Sequence, residues 1–310
     1  MQTLESLRKK IQSAEDLYTI VRTMKTLAAI NIHHYEKAVE SVTDYYRTVE
    51  MGLQVILRKG PIEMFSSPSD LGEKRTGVII FGSDHGLCGG FNNQIVSYAL
   101  EDMHEHSSAP DRHVILCVGS RISALLEEKG HSTGNIFSLP DSLAGLTDIG
   151  YEIVMAINDW QVEEKISKVI LYYHKLISNI SSQPRKTRLL PLNPEWFRSI
   201  SSKKWPSHVI PGFTMDRNKL FSSLIRQYVF VSLYRAIAES MASENASRFL
   251  SMQAAEKNIK DQREEIDALY RHQYQSMITS ELLDIVAGFE ALQVSTDMIK
   301  KQSKKDEETS

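Results

Sequence analysis

Apolar side chains recur alternately three and four residues apart from the start of the chain to residue 56. A repeat of this kind is typical of one helix of a coiled coil, because it keeps a single apolar stripe facing a constant partner. Lys25 interrupts the stripe, and Gly60 with Pro61 ends it, so we predict a helix over residues 1–60. The stripe comprises Leu4, Leu7, Ile11, Ala14, Tyr18, Val21, Lys25, Ala28, Ile32, Tyr35, Val39, Val42, Tyr46, Val49, Leu53 and Ile56.

The spacing of the apolar side chains changes after a turn-rich connection, which we assign to residues 61–75. Short apolar runs rich in β-branched residues then alternate with helix-like stretches, and this alternation predicts a small parallel or mixed α/β domain over residues 76–212. The run 188–192 is predicted as an edge strand, because Pro191 would be excluded from a central one. The predicted strands are 77–81, 113–118 and 168–173, and the predicted helices are 93–104, 120–129 and 149–164.

A second long helix is predicted over residues 213–292, since neither glycine nor proline occurs between Gly212 and Gly288. With a globular domain between two terminal helices, the chain should follow a hairpin-like path. The apolar stripe of the second helix changes phase and becomes polar near Gln273 to Ile278. That change suits a surface that contacts another protein rather than the first helix. The charged segment 293–310 is predicted to be disordered.

Composition narrows the possible functions. The 310 residues include 36 basic and 39 acidic ones, and the formal net charge of −3 gives no field that would hold nucleic acid. No apolar run of about 18 residues is present, and the N-terminus lacks an apolar signal core, so we expect neither a membrane span nor export. Cys88 and Cys117 lie in apolar or glycine-rich surroundings and are predicted to be single buried residues.

A glycine-rich segment, residues 81–92, follows the first predicted strand and opens a predicted helix, which is where dinucleotide-binding folds hold a pyrophosphate. Its glycines, however, fall at positions 82, 86, 89 and 90, which match neither G-x-G-x-x-G nor a Walker A motif, and it has no lysine. We therefore predict a structural turn without a cofactor. A dinucleotide-dependent enzyme with helical oligomerisation arms stays open as an alternative, as does a non-enzymatic coiled-coil tether.

The sequence gives only weak evidence for other functional sites. His33 with His34, and His104 with His106, could suggest metal ligands, but neighbouring helix positions point apart and no further ligand completes a known spacing. We predict solvated faces and no metal site. In the second long helix, small residues over 242–259 allow close approach of another helix, while Arg248 must find a carboxylate or water.

Four segments in the same order resemble the gamma subunit of F-type ATP synthases, and the resemblance covers the chain almost end to end. They are 7–29, the glycine-rich 83–92, 242–258 and 275–288. In the first segment the similar positions are Ile11, Ser13, Thr19, Ile20, Met24, Lys25, Ala28 and Ala29. Single segments of this length carry little weight, whereas four in order identify the chain as a member of the family.

The resemblance implies a fold and a role. The two long helices would form an antiparallel coiled-coil shaft inside a ring of three alpha and three beta subunits, and a central Rossmann-like α/β domain would lie near the epsilon subunit and the c-ring. The chain would be non-catalytic, and it would couple ion translocation to ATP synthesis or hydrolysis. It would be peripheral, attached to the cytoplasmic face of the cell inner (plasma) membrane only through the complex.

By motif match, Met24, Lys25, Arg248, Gln275 and Thr279 would contact the beta-subunit loops that surround the shaft. The glycine turn, with Gly86, Gly89 and Gly90, would be structural.

The chain also departs from the family pattern. The family usually has arginine at the position of His85 and lysine near Ile20 and Asn31, and it normally ends about 18 residues earlier. The divergence over residues 228–248 favours an alternate, N-type branch, and the translocated ion, proton or sodium, stays open.

Overall fold

The computed structural model describes residues 3–58, 75–106, 113–140, 142–178 and 180–307, with side chains as far as residue 290. The predicted connection 61–75 lies outside the described residues except for Arg75. The chain separates into two compact units, and each long helix contributes to both. One unit comprises Met24–Gln253, and the other comprises Met1–Thr23 with Ala254–Ser310. Within the described residues, no helix is long and apolar enough to cross a membrane.

Helix α1 spans Leu4–Arg58. Every position of the predicted apolar stripe is buried or half-buried, including Lys25, as expected for a helix with a continuous partner. That partner is the C-terminal helix, α6. In the larger unit, Asn31 Nδ2 donates to Asn245 Oδ1 at 3.4 Å, and Tyr45 Oη donates to Gln227 Oε1 at 3.1 Å. The pairing runs in opposite directions along the two helices, which confirms the antiparallel arrangement.

Helix α6 spans Arg217–Glu307. It therefore extends past the predicted end at residue 292 and into the segment for which we expected disorder, and we correct the end of the helix to Glu307. The physical reason is that residues 293–307 contain no glycine or proline and include several strong helix formers. In the smaller unit, Arg263 of α6 forms an ion pair with Glu15 of α1. Residues 308–310 lie outside the described part.

A five-stranded sheet forms the centre of the larger unit, in the order β3-β2-β1-β4-β5. Strand β1 pairs in parallel with β2 and β4, β2 pairs in parallel with β3, and β5 closes the edge antiparallel to β4, so the predicted mixed sheet is confirmed. Strand β5 begins earlier than predicted, and its Pro184 is tolerated because β5 is an edge strand. The strands are β1 (Thr76–Phe81), β2 (His113–Val118), β3 (Ile136–Phe137), β4 (Lys168–Ser178) and β5 (Ser181–Leu190).

Both faces of the sheet are covered. Helices α2 (Phe91–His106) and α3 (Ser120–Glu128) pack on one face. Helix α4 (Leu146–Val162) packs on the other, together with parts of α1 and α6. A short helix, α5 (Pro194–Ser202), was not predicted, although its sequence carries the signals: the side chain of Asn193 accepts a hydrogen bond from the backbone N–H of Glu195, and Pro194 occupies the first helical position.

Candidate functional site

The glycine-rich turn, defined here as residues 83–92, joins the carboxyl end of β1 to the start of α2. Two of its own side chains close it. The backbone N–H of Ser83 donates to Asn92 Oδ1 at 3.0 Å, and Asn92 Nδ2 donates back to Ser83 Oγ at 2.8 Å. Ser83 is fully buried and Asn92 nearly so, and these reciprocal bonds satisfy their polar atoms. The turn is thus a fixed structure.

Glycine is required at two positions, of which only Gly89 was predicted. Gly89 has φ +58°, and a Cβ there would lie 2.8 Å from Ser251 Oγ of α6. Gly82, just before the turn, has no room for a side chain, because a Cβ would lie 2.0 Å from Ile122 Cδ1. At Gly86 and Gly90 the nearest side-chain atoms would be 3.6 Å away, an ordinary contact. The requirement at these last two positions therefore stays a prediction.

Asp84 ties the turn to two further elements, a role that was not predicted from the sequence. Its Oδ1 accepts from the backbone N–H of Ser120 at 2.7 Å, at the start of α3, and its Oδ2 accepts from the backbone N–H of Leu139 at 2.5 Å. One carboxylate oxygen therefore satisfies a backbone donor in the first turn of α3, and the other satisfies a backbone donor in the segment after β3. The turn, α3 and the segment after β3 are fixed relative to one another by one side chain.

Helix α6 packs directly against the turn. Ser247 Oγ donates to the carbonyl oxygen of Cys88 at 2.6 Å, and Ser251 lies over Gly89. The close approach that the small residues of this helix predict is therefore present, with the turn as one of the contacting elements. Ser247 and Ser251 therefore lie against the part of the turn around Cys88 and Gly89.

Of the two partners that the sequence allowed for Arg248, a carboxylate or water, the structure shows a carboxylate. Its Nη2 lies 2.6 Å from Glu244 Oε1, one helical turn earlier, and 3.5 Å from the carbonyl oxygen of Gly86. Only 15% of the Arg248 side chain and 8% of the Glu244 side chain are exposed. Burial raises the pKa of Glu244 and the Arg248 guanidinium opposes that shift, so the pair is a desolvated ion pair. Asp84 and His85 act on the same carboxyl, with opposite signs.

A small polar cavity of about 120 Å³ lies beside this pair, between α1, α6 and the turn. Its lining includes Asn31 and Tyr35 of α1, Asp84 and His85 of the turn, and Asn245 of α6. His85, where the family usually has arginine, is an exposed residue at the edge of this cavity. This residue sits in the same polar cluster as the Arg248–Glu244 pair.

The other implied contact residues fall in two places. Met24 and Lys25 are half-buried on α1, in the larger unit. Gln275 and Thr279 are exposed on α6, in the smaller unit, and Thr279 Oγ1 donates to the backbone carbonyl of Gln275 at 2.9 Å. The exposure of Gln275 and Thr279 leaves both side chains accessible. Whether these residues contact a partner stays a prediction.

The end of α6 presents large apolar side chains to solvent. All residues from 274 to 290 are exposed, and Leu283, Ile285 and Phe289 are each more than 60% exposed. Contiguous apolar surface of this kind marks a protein–protein contact surface in soluble proteins. This fits the expectation that an external protein, and not α1, covers this part of the helix.

The remaining candidate residues are two cysteines and four histidines. Cys88 and Cys117 are free and buried, as predicted, and burial raises the pKa of the Cys117 thiol to about 12. His33, His34 and His104 are exposed, which confirms solvated faces for these three, whereas the side chain of His106 lies outside the described part. No group of three or more His, Cys, Asp or Glu side chains in the described ranges could hold a metal ion.

Comparison with known proteins places these features in a family. The ATP synthase family model matches residues 3–292. Among curated proteins, the ATP synthase gamma chain of Nitrosomonas eutropha is 24% identical over 298 residues, and that of Ehrlichia canis is 25% identical over 292 residues. Each alignment covers 94% of this chain and 100% of the relative.

Solved structures share the fold. The rotor of the Euglena gracilis mitochondrial ATP synthase superposes with a TM-score of 0.56 at 14% identity, covering 89% of this chain and 98% of that one. The central stalk and c-ring structure of the Tetrahymena thermophila mitochondrial ATP synthase gives 0.53 at 20% identity, covering 76% and 99%. A family match over nearly the whole length, on this arrangement of two long helices and an α/β sheet, shows that the chain belongs to the ATP synthase family.

Proposed function

We propose that the chain is the central rotor stalk, the gamma subunit, of a rotary F1Fo ATP synthase. It couples ion translocation through the membrane sector to ATP synthesis or hydrolysis in the alpha–beta hexamer. The observation that carries the proposal is the end-to-end alignment with gamma chains, whose whole length this chain covers. The long helices supply a shaft, and the exposed residues of α6 supply a surface for a surrounding ring.

The partners follow from this role. Three alpha and three beta subunits surround the shaft, and the α/β domain contacts the epsilon subunit and the c-ring. Rotation of an asymmetric shaft stabilises a different conformation of each beta subunit in turn, since each subunit meets a different face of the helices. As part of the F1 sector, the chain is peripheral to the membrane, on the cytoplasmic face of the cell inner membrane.

The chain itself is non-catalytic in this proposal. The glycine-rich turn matches no phosphate-binding motif and packs against α6, with Ser247 Oγ hydrogen-bonded to the Cys88 carbonyl. Nucleotide binding and hydrolysis belong to the alpha and beta subunits, and this chain contributes position and torque.

Omission of the chain tests the rotor role. Purified complex reconstituted into vesicles without it should lose ion-driven ATP synthesis, and synthesis should return when the full chain is added back. Ion-coupled synthesis that continues in complexes shown to lack the chain would refute the rotor role. Co-purification with an alpha–beta hexamer separates the rotor from a coiled-coil tether of another assembly.

The predicted contact at Thr279 can be tested by labelling. In a Thr279→Cys variant, the new thiol is exposed in the isolated chain, while the native Cys88 and Cys117 are buried and give little background. We expect maleimide labelling of Thr279→Cys to slow about tenfold or more on assembly, because an interface excludes the reagent. Glu128→Cys, exposed on α3 of the α/β domain, is the matched control outside the shaft and should slow less than Thr279→Cys on assembly. Equal labelling rates of Thr279→Cys before and after assembly would exclude this contact.

A further inference from the structure

Directional polar contacts fix α6 to the glycine-rich turn near the end of the larger unit. Ser247 Oγ donates to the Cys88 carbonyl at 2.6 Å, and Arg248 Nη2 approaches the Gly86 carbonyl at 3.5 Å. The larger unit ends at Gln253, so these contacts lie within two helical turns of its end.

The rest of the α6 contact with the domain is of a different kind. Beside the sheet, α6 buries apolar side chains, among them Val229, Leu233 and Ile237, whose burial is driven by the non-directional hydrophobic effect. From Ala242 to Ala246 every side chain is buried, and three of the five are alanine or serine, which protrude little from the helix. Hydrogen bonds have a preferred angle, and a helix that rotates about its own axis must break them.

We propose that this contact transmits torque between the shaft and the α/β domain, with Ser247 and Arg248 as positioning residues that stop α6 from rotating against the turn. The inference rests on the proposed rotor function. Gly89 allows the contact, because its lack of a side chain lets Ser251 come within reach of the turn. Asp84 links the turn to α3 and to the segment after β3. Torque that reaches the turn is therefore passed to several elements of the α/β domain.

The same geometry gives Arg248 a role inside the chain. Its guanidinium is directed to Glu244 and the Gly86 carbonyl, and its side chain is nearly buried. A residue that gripped loops of a surrounding ring would present its donors outward. Arg248 therefore acts on coupling by holding the turn against the helix, and not by contacting the beta subunits.

Two serines of α6 provide a matched test. Ser247→Ala removes the hydrogen bond to the Cys88 carbonyl, whereas Ser240→Ala makes the same change at a buried serine whose hydroxyl has no hydrogen-bond partner in the described part of the chain. Each variant is assembled into the full complex in vesicles. The ratio of ions pumped to ATP hydrolysed is then measured with and without an opposing ion gradient.

We define slip as ATP hydrolysis that pumps no ions. We expect Ser247→Ala to increase slip under the opposing gradient about fivefold, which is the factor that corresponds to the loss of one hydrogen bond. Ser240→Ala should behave like the unmodified complex. Thermal unfolding of each full chain is also measured. An unfolding midpoint well above the assay temperature shows that slip does not come from loss of the fold. If Ser247→Ala and Ser240→Ala pump equally well against the gradient, the torque contact is refuted while the rotor function stands. If the complex pumps ions equally well without the chain, the rotor function itself is refuted.

Glu244→Gln tests the assignment of Arg248. If Arg248 acts through its ion pair, neutralising Glu244 should increase slip by a factor similar to that of Arg248→Ala, and the two changes together should give little more. Normal coupling in Glu244→Gln combined with slip in Arg248→Ala would overturn the internal role of Arg248. It would favour a contact between Arg248 and the surrounding beta subunits.

Discussion

Replacing Gly82 by alanine is expected to lower the free energy of unfolding of the full chain by about 3 kcal/mol or more. The added Cβ would lie 2.0 Å from Ile122 Cδ1, 2.2 Å from Ile122 Cγ1 and 2.6 Å from Asn92 Oδ1. Ile122 is fully buried, and Asn92 Oδ1 already accepts from the Ser83 N–H, so neither group can move away without loss. Urea denaturation of the variant and of the unmodified chain measures the difference.

Two further variants make the Gly82 prediction specific. Gly212→Ala is the control, since a Cβ at Gly212 meets nothing within 4 Å, and its effect should be within about 0.5 kcal/mol. Ile122→Ala removes both clashing carbons, so combining it with Gly82→Ala should cost about 1–3 kcal/mol less than the sum of the two single changes. A strictly additive double variant would show that the clash with Ile122 is not the cause.

Much of the fold could be predicted because its signals are local in sequence. The repeat of α1 identifies its buried face, and all its positions are buried or half-buried. Strands β1, β2 and β4 follow from continuous apolar runs, since strands covered on both faces need no polar side. Strand β3 could not be predicted because two residues carry no period, and its place in the sheet depends on its pairing with Cys117 and Val118.

The candidate site was less accessible to sequence reasoning, because its requirements come from distant segments. The need for glycine at position 82 is set by Ile122, and the need at position 89 is set by Ser251 of α6. The partner of Arg248, in contrast, does have a local signal. Glu244 precedes Arg248 by four residues, a spacing at which opposite charges meet on one helix face. This spacing by itself predicts an internal partner for Arg248.

Acidification from pH 7 to pH 4 is expected to destabilise the full chain by about 3 kcal/mol through His174 alone. His174 lies on β4, is fully buried and stacks on Phe91 at the start of α2, with ring centroids 4.2 Å apart. Neither ring nitrogen has a hydrogen-bond partner among the described residues, and burial lowers its pKa from 6.5 to about 4.

The sign of the His174 effect follows from proton binding. Above pH 6.5 the imidazole is neutral in both the folded and the unfolded chain. Between pH 6.5 and about 4, the unfolded chain binds a proton that the folded chain excludes. The free energy of unfolding therefore falls as the pH falls. His174→Phe removes this titration while keeping a ring beside Phe91. In denaturation at several pH values, the free energy of unfolding of this variant should fall less on acidification than that of the unmodified chain. His33→Gln, at an exposed position, is the matched control for the loss of one histidine. Parallel pH curves for the His174→Phe variant and the unmodified chain would show that His174 is not held neutral in the fold.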